Sequence, residues 1–332
     1  MHAPTRTHPG LTALVCLVAA TCALAAALET DGKFTEYALP NPASGPTTIS
    51  IAPDGNLWFT EGAGNRIGRM APDGTGIKEF DLPNPGSQPR IIAVGADKNL
   101  WFTEHLGNRI GRITPAGVLT EFPIPTPKCQ PRAIALGADG NLWFGEFTGN
   151  RIGRISPDGV ITEFPIPTPD SGPRAIAALD SNLWFSEFNT NKIGRITPKG
   201  VITEFDLPRP ATGPGDMTAG ADGTLWFVEL SRNAVAHLTI SGKVTEFQIP
   251  SPTGSPINIA VGPDRNIWYT KQSRLGRVTP EGVITEFEIP TPNGGATGLT
   301  AGSDRQPPDR LTNKLWFTES GGNKIAFLNF KN

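Results

Sequence analysis

Seven tryptophans divide this chain into nearly equal parts. They stand 43, 42, 41, 42, 42 and 48 residues apart, and each is followed by Phe or Tyr: Trp58, Trp101, Trp143, Trp184, Trp226, Trp268 and Trp316. Because the chain has no other tryptophan, one repeated unit of about 42 residues accounts for most of its length. Repeats of this period are typical of propeller blades or of paired helices.

The pattern inside one unit decides between those two folds. In the third unit, runs at Pro131–Gly137, Asn141–Phe147, Arg151–Ser156 and Val160–Phe164 are separated by Asp-Gly or Gly-Asn turns. Short runs bounded by turn dipeptides predict β-strands, and no segment keeps a helical period long enough for a helix. Four strands per unit, repeated seven times, predict an all-β fold, a seven-bladed β-propeller with four-stranded blades.

The two ends of the chain predict how the ring closes. The last unit supplies a third strand at Ile325–Phe330 and no fourth. Ahead of the first unit, Gly32–Tyr37 matches the fourth-strand pattern of an internal unit at Gly200–Phe205. We therefore expect the N-terminal strand to complete the last blade, so that residues 28–332 form a single propeller domain without an open sheet edge.

Residues 1–27 are predicted to be a secretory signal peptide. A short polar segment with Arg6 precedes the apolar run Leu11–Leu28, which ends in small residues suited to cleavage. The alternative is an uncleaved membrane anchor, since a run of 18 residues approaches the length of about 20 that spans a bilayer. Two of the three cysteines lie in this segment, so the mature chain keeps only Cys129 and cannot form an internal disulfide. We expect a secreted or periplasmic protein.

Charge and motif content exclude several functions. The 29 Lys and Arg residues nearly balance the 31 Asp and Glu residues, which gives no field for nucleic acid or for an anionic membrane. The motifs of serine hydrolases, zinc proteases and phosphate-binding loops do not occur. We expect a monomer whose partner is a small-molecule or peptide-like ligand, with no nucleic acid and, after signal cleavage, no membrane.

The repeated string resembles the virginiamycin B lyase (streptogramin lyase) family. Leu-Trp-Phe-Thr-Glu, then Asn-Arg-Ile-Gly-Arg-Ile, then Thr-Glu-Phe-x-Ile-Pro-Thr-Pro occurs nearly whole at Leu100–Pro127 and again at Leu183–Pro210, and the resemblance covers Gly32–Asn332. It implies a seven-bladed propeller that linearises a cyclic depsipeptide by magnesium-assisted elimination. It also implies catalytic histidines at the start of the last two blades and a glutamate after the last Trp-Phe.

The sequence departs from this family pattern at the histidines. Their positions hold Ile257 and Thr297, whereas Glu319 matches the glutamate. An elimination needs a base to remove a proton and an acid or metal to stabilise the departing oxygen. The resemblance alone therefore suggests a carbon–oxygen lyase that uses Mg²⁺, while the residues leave the streptogramin lyase activity doubtful and the metal unknown.

Three arginines form the first candidate binding site. Arg90, Arg132 and Arg174 occupy one equivalent position in three consecutive blades, at the start of the innermost strand, where side chains line the central channel. Their guanidinium groups are predicted to bind a carboxylate or phosphate at the channel mouth. The alternative is that they pair with nearby carboxylates or waters and only fill the channel.

Residues that break the repeat are the other candidates. Asp216 and Asn258 stand where other blades have Thr, Ile, Ala or Gly, and they are predicted to lie opposite the arginines. Asp216 and Glu319 are the candidate catalytic groups, with Asn258 and Thr297 as ligand-binding residues, and an acid, an amide and Glu319 could share a metal ion. The alternative is a satisfied polar pair in the channel. His105 is expected to be an ordinary exposed residue.

A ring of glutamates is predicted to be structural, because a residue repeated in six blades does the same work in each. Lys271 interrupts the ring, whose members are Glu61, Glu104, Glu146, Glu187, Glu229 and Glu319. Three functions therefore remain open from the sequence. The protein binds a ligand at the channel mouth, or it is a lyase with a relocated base, or it is a non-catalytic protein-interaction propeller.

Overall fold

The computed structural model describes residues 30–301 and 313–331. The predicted signal peptide, residues 1–27, lies outside the described residues. Within them the chain forms seven four-stranded antiparallel sheets arranged as blades, which confirms the predicted seven-bladed β-propeller. No helix in this part of the chain has the length and apolar character needed to cross a bilayer.

The strands follow the repeat closely. The N-terminal strand is β1 (Thr30–Ala38). Blade one contains β2 (Pro46–Ile51), β3 (Leu57–Glu61), β4 (Arg66–Met70) and β5 (Lys78–Asp81). Blade two contains β6 (Pro89–Val94), β7 (Leu100–Glu104), β8 (Arg109–Ile113) and β9 (Leu119–Pro123). Blade three contains β10 (Pro131–Leu136), β11 (Leu142–Glu146), β12 (Arg151–Ile155) and β13 (Ile161–Pro165).

The remaining blades repeat this order. Blade four contains β14 (Pro173–Leu179), β15 (Asn182–Glu187), β16 (Lys192–Ile196) and β17 (Ile202–Asp206). Blade five contains β18 (Pro214–Ala219), β19 (Leu225–Glu229), β20 (Ala234–Leu238) and β21 (Val244–Gln248). Blade six contains β22 (Ile259–Val261), β23 (Ile267–Lys271), β24 (Arg274–Val278) and β25 (Ile284–Glu288). Blade seven contains β26 (Ala296–Ala301), β27 (Lys314–Glu319) and β28 (Lys324–Phe330).

The repeated tryptophans form the core between blades. All seven are at most 1% exposed. Trp143 of blade three packs against Leu183 and Phe185 of blade four, and Phe164 of its own outer strand stacks on it with ring centroids 5.4 Å apart. Burial of large aromatic side chains supplies most of the favourable free energy of such a contact. The stability predicted without disulfides is therefore explained by these layers.

A glycine in the third strand of five blades makes room for the aromatic ring that follows the tryptophan, and blades five and seven have Ala236 and Ala326 at this position. In blade three a Cβ on Gly153 would lie 2.1 Å from the ring of Phe144, well inside contact distance. The Arg-Ile-Gly-Arg-Ile string thus encodes close packing rather than flexibility, because the lack of a Cβ lets the ring lie directly on the strand.

The ring closes as predicted. Strand β1 pairs with β28 in antiparallel register from Thr30 opposite Phe330 to Ala38 opposite Lys324, and it completes blade seven as its outer strand. An ion pair of 2.6 Å between Glu36 and the Lys324 ammonium reinforces the pairing. The two sheet edges that the ends would otherwise leave open are joined to each other.

Candidate functional site

A cavity of about 100 Å³ opens at the channel mouth, where the innermost strands of the blades begin. Six residues that the sequence singled out line it: Arg90, Arg132, Arg174, Asp216, Asn258 and Thr297. Ile257, at the other position where the family has histidine, lines it as well. The structure therefore brings the predicted binding residues and Asp216 together, while their roles stay predictions.

In every blade except blade six, a backbone irregularity at the start of the innermost strand aims the side chain there into the channel. In blade two the register of β6 against β7 shifts between Pro89 and Ile92, and Arg90 lies in this bulge. The Arg90 carbonyl accepts hydrogen bonds from the hydroxyls of Thr48 and Thr60 in the preceding blade, both at 2.8 Å. Because the carbonyl is held toward the neighbouring blade, the side chain is directed to the channel axis.

The three arginines carry charge that no carboxylate neutralises by contact. Within the described residues, none of the three guanidiniums forms an ion pair or a hydrogen bond. Burial lowers the pKa of all three arginines. Repulsion by Arg90 adds to this effect at Arg132 and Arg174, so that the pKa of Arg132 falls to about 9 and that of Arg174 to about 10. The cavity therefore has a positive electrostatic potential, and a bound anion would reduce the repulsion between the guanidiniums.

Asp216 is the one acid among the described residues that line the cavity. Its Oδ2 accepts hydrogen bonds from the Asn258 amide at 2.5 Å and from the Ile259 backbone N–H at 3.2 Å. Burial raises the pKa of the carboxyl to about 6, although Arg174 opposes the shift. The predicted satisfied polar pair exists, and it leaves Oδ1 of Asp216 without a bond to Asn258.

The two positions where the family has histidine carry no base. The Thr297 hydroxyl lies 2.8 Å from the Thr318 hydroxyl and 3.2 Å from the Pro46 carbonyl, so that it ties blade seven to blade one. Ile257 offers only an apolar surface. Neither side chain can take a proton at neutral pH.

Glu319 is fully buried and does not line the cavity. Burial, and then repulsion by Glu36, raises its pKa to about 7. The equivalent glutamates of the other blades are buried in the same way, beside a glutamate of the outer strand, which agrees with a structural role. In blade six, Lys271 takes the place of the ring glutamate, and its ammonium donates to the carbonyl and hydroxyl of Ser251, at 2.6 and 2.7 Å.

A rim of larger side chains around the mouth was not predicted. The residue that follows the ring position is His105, Phe147, Phe188 or Leu230 in blades two to five, and we call these four the rim. All four are half-buried, so the expectation that His105 is exposed was wrong. Burial and the nearby Arg90 and Arg132 lower its pKa to about 4. The signal for the rim in the sequence is the shared position of its members, directly after the ring glutamate in four consecutive repeats.

The cavity does not fit the magnesium ion that the resemblance implies. Magnesium prefers several oxygen ligands, chiefly carboxylates. Here three guanidiniums face a single carboxylate, and Oδ2 of that carboxylate already accepts two N–H groups. Nor is any group of three His, Cys, Asp or Glu side chains placed to hold a metal in residues 30–301 and 313–331.

The profile of the virginiamycin B lyase family matches residues 23–191 and 177–331 of this chain. The fold is similar to that of selenomethionine-substituted virginiamycin B lyase from Staphylococcus aureus, at 37% identity and a TM-score of 0.84 over 90% of this chain and 99% of that one. A catalytically inactive form of the S. aureus enzyme with quinupristin gives 38% identity and a TM-score of 0.83 over the same shares. The virginiamycin B lyase of Bacillus licheniformis is 48% identical over 42 residues, 13% of this chain and 14% of that protein.

Proposed function

The chain belongs to the virginiamycin B lyase family, and on that premise we propose that it is a secreted propeller that binds a small or peptide-like anionic ligand at its channel mouth. One observation carries the proposal: Arg90, Arg132 and Arg174 surround one cavity without a carboxylate in contact with any of them among the described residues. Counting Asp216, the lining has three positive groups and one negative group, so positive charge is in excess.

The energetic gain from an anion is substantial in this setting. A hydrogen bond between a guanidinium and an anion contributes about 1.5 to 3 kcal/mol, and it is strongest where water screens poorly. Burial and repulsion by the neighbouring arginines already lower the pKa of Arg132, so an anion would supply the opposite charge that favours its protonated form. Arg132 lies between the other two and is expected to contribute most.

Calorimetric titration with acetate and with phosphate tests this proposal. We expect the wild type to bind at millimolar concentration or below, and binding to weaken as salt rises. Arg132→Ala is expected to abolish binding with an unchanged fold. Lys199→Ala removes the same charge from an exposed turn between β16 and β17 and is expected to bind like the wild type. Absence of binding by the wild type would contradict the proposal.

Secretion is tested separately. The mass of the exported protein shows whether residues 1–27 have been removed.

One observation favours a second candidate function, a carbon–oxygen lyase with a relocated base. Asp216 shares the cavity with Ile257 and Thr297, and a carboxyl whose pKa is about 6 is suited to accept a proton near neutral pH. In this function Asp216 would remove a proton from a substrate carbon, and the arginines would hold the departing oxygen.

We expect little or no linearisation of streptogramin B antibiotics by the mature protein, because the two histidine positions carry no base. The measurement is chromatographic, with and without magnesium. Turnover that Glu319→Gln or chelation abolishes would establish the family reaction instead, and turnover that only Asp216→Asn abolishes would establish the second candidate. A protein-interaction propeller becomes the better description if neither anions nor antibiotics are bound.

A further inference from the structure

The rim is asymmetric, and its asymmetry matches that of the arginines. The equivalent positions in blades one, six and seven hold Gly62, Gln272 and Ser320, which are small or polar. The larger rim side chains lie in blades two to five, and the arginines lie in blades two to four. One half of the mouth therefore combines positive charge with the larger side chains of the rim, whereas the other half has no arginine at the cavity and no large rim side chain.

Two rim phenylalanines hold the arginines in place. The guanidinium of Arg132 lies 5.2 Å from the ring centre of Phe147, and that of Arg174 lies 5.1 Å from the ring centre of Phe188. The two rings are themselves 6.5 Å apart and tilted by 45°. Stacking on an aromatic ring leaves the N–H edge of a guanidinium free to donate to an anion. The rings also offer an apolar surface beside that anion.

His105 adds an acceptor to the same half of the mouth. Its Nδ1 lies 3.3 Å from the Pro131 carbonyl, and because a carbonyl can only accept, Nδ1 carries the hydrogen. The pKa of about 4, lowered by burial and by the two adjacent arginines, keeps the ring neutral near pH 7. Nε2 is then the ring nitrogen that carries the lone pair, and as an acceptor it requires an N–H or O–H from its partner.

We propose that the ligand is an N-acyl amino acid group with an apolar side chain, as found at the C-terminus of a peptide or in a free N-acyl amino acid. This inference rests on the proposed anion site and specifies what that site recognises. The carboxylate binds the guanidiniums of Arg132 and Arg174, the adjacent amide N–H donates to Nε2 of His105, and the side chain packs on Phe147 and Phe188. A bare anion such as acetate or phosphate would use the first of these contacts only.

Calorimetry with matched ligands tests the inference. N-acetylphenylalanine and N-acetylglycine share the carboxylate and the amide and differ only in the benzyl group. We expect N-acetylphenylalanine to bind about tenfold more tightly or better. The carboxamide of N-acetylphenylalanine lacks the charge and is expected not to bind. Methylation of the amide nitrogen should weaken binding to the wild type and make no difference in His105→Ala.

Variants locate the apolar contact. Phe147→Ala and Phe188→Ala are expected to reduce the preference for N-acetylphenylalanine over N-acetylglycine to less than about threefold. Phe147→Leu keeps an apolar side chain and should retain part of the preference, which guards against a folding defect in the alanine variant. Ser320→Ala changes the equivalent position of blade seven and should leave the preference intact.

The possible results separate this inference from the anion site itself. Equal binding of the two acids by the wild type would overturn the inference while the anion site stands. Failure of acetate, phosphate and both acids to bind would overturn the anion site. A hexapeptide ending in phenylalanine distinguishes the sources: its binding supports a peptide C-terminus and its exclusion supports a free N-acyl amino acid, and both results support the class.

Discussion

At the scale of single residues, the channel mouth gathers charges that repel one another. Arg90, Arg132 and Arg174 lie close enough to lower one another's pKa, and the single acid, Asp216, is itself half neutral near pH 6. Such an arrangement costs free energy in the absence of a ligand, and proteins retain charge clusters of this kind mainly at functional sites. The protonation state of the cavity therefore sets its affinity for anions.

The affinity for an anion is expected to rise as the pH falls through about 6. Asp216 takes up a proton in this range and its negative charge is lost, so binding strengthens. The three guanidiniums stay charged over the whole range, because arginine keeps its proton in proteins. Calorimetry with a sulfonate, which stays anionic throughout, measures the change. Asp216→Asn should remove the pH dependence, and its persistence in the variant would show that another group causes it.

The extent to which the site was predictable follows from the same residues. The arginines were predicted because they occupy one position of the repeat, and the structure places them together. His105, Phe147 and Phe188 also share one position of the repeat, but they were not predicted as a group because their side chains differ in chemistry. The bond from the Ile259 N–H to Asp216 joins two blades, and no pattern within a single unit reveals such a contact. His105 was wrongly expected to be exposed because its cover comes from blade three, at Pro131 and Arg132.

At the scale of strands, a threonine hydroxyl directly after the repeated aromatic pair joins the first strand to the next blade in blades one, two, six and seven. The Thr60 hydroxyl accepts the Thr48 N–H at 3.1 Å and donates to the Arg90 carbonyl at 2.8 Å. Thr103 donates in the same way to the Arg132 carbonyl, at 3.1 Å. The strands themselves were predicted to within about one residue, since β10 spans Pro131–Leu136 where the sequence indicated Pro131–Gly137. The hydroxyl contacts were not predicted, because they depend on the bulge.

Thr60→Val tests this contact. Valine keeps the shape of threonine but has no hydroxyl. The buried N–H of Thr48 then loses its acceptor and the carbonyl oxygen of Arg90 loses one of its donors. We therefore expect a loss of about 1 to 3 kcal/mol in the free energy of unfolding. Denaturant titration measures it. Thr60→Ser keeps the hydroxyl, as Ser186 does in blade four, and is expected to lose much less. An unchanged midpoint for Thr60→Val would mean that water satisfies both groups.

At the scale of the whole molecule, buried carboxyls make stability depend on pH. Burial, together with a neighbouring glutamate, raises the pKa of Glu104 and Glu319 to about 7 and that of Glu146 to about 8. A carboxyl whose pKa is higher in the folded state stabilises the fold below the unfolded pKa, and this stabilisation is lost as pH rises through the folded pKa. The sites repeat around the ring, so their effects accumulate.

We expect the melting temperature to fall as the pH rises from about 5 to about 8.5, with a change of a few kcal/mol in the free energy of unfolding. Scanning calorimetry across this range measures it. Glu146→Gln replaces one of these acids by a neutral group and should flatten the dependence and raise the melting temperature at the alkaline end. A wild-type melting temperature that rises over the same range would contradict the raised pKa values.

Deleting Gly32–Tyr37 is expected to destabilise the entire ring. The deletion removes the outer strand of blade seven, the ion pair between Glu36 and Lys324, and the packing of Phe34 on Phe317 at 6.0 Å. Loss of a fully buried Phe costs about 3 kcal/mol or more, and the half-buried Phe34 adds part of that cost to the loss of the strand. Thermal unfolding measures the effect, and a synthetic peptide of residues 30–38 should restore part of the stability. A deleted protein that melts like the intact one would show that blade seven does not need β1.

The pairing of β1 with β28 also makes blade seven the last blade that we expect to form during folding. Six blades consist of consecutive strands, whereas the Thr30 hydroxyl bonds a carbonyl 299 positions away. Closing a chain segment of that length costs about 5 kcal/mol of entropy, so this contact forms after the others and is the first to open. While it is open, the edge of β28 accepts any equivalent strand. At high protein concentration, β1 of one copy can complete blade seven of another, so the strand pair that closes the ring within one chain becomes a route to domain-swapped dimers.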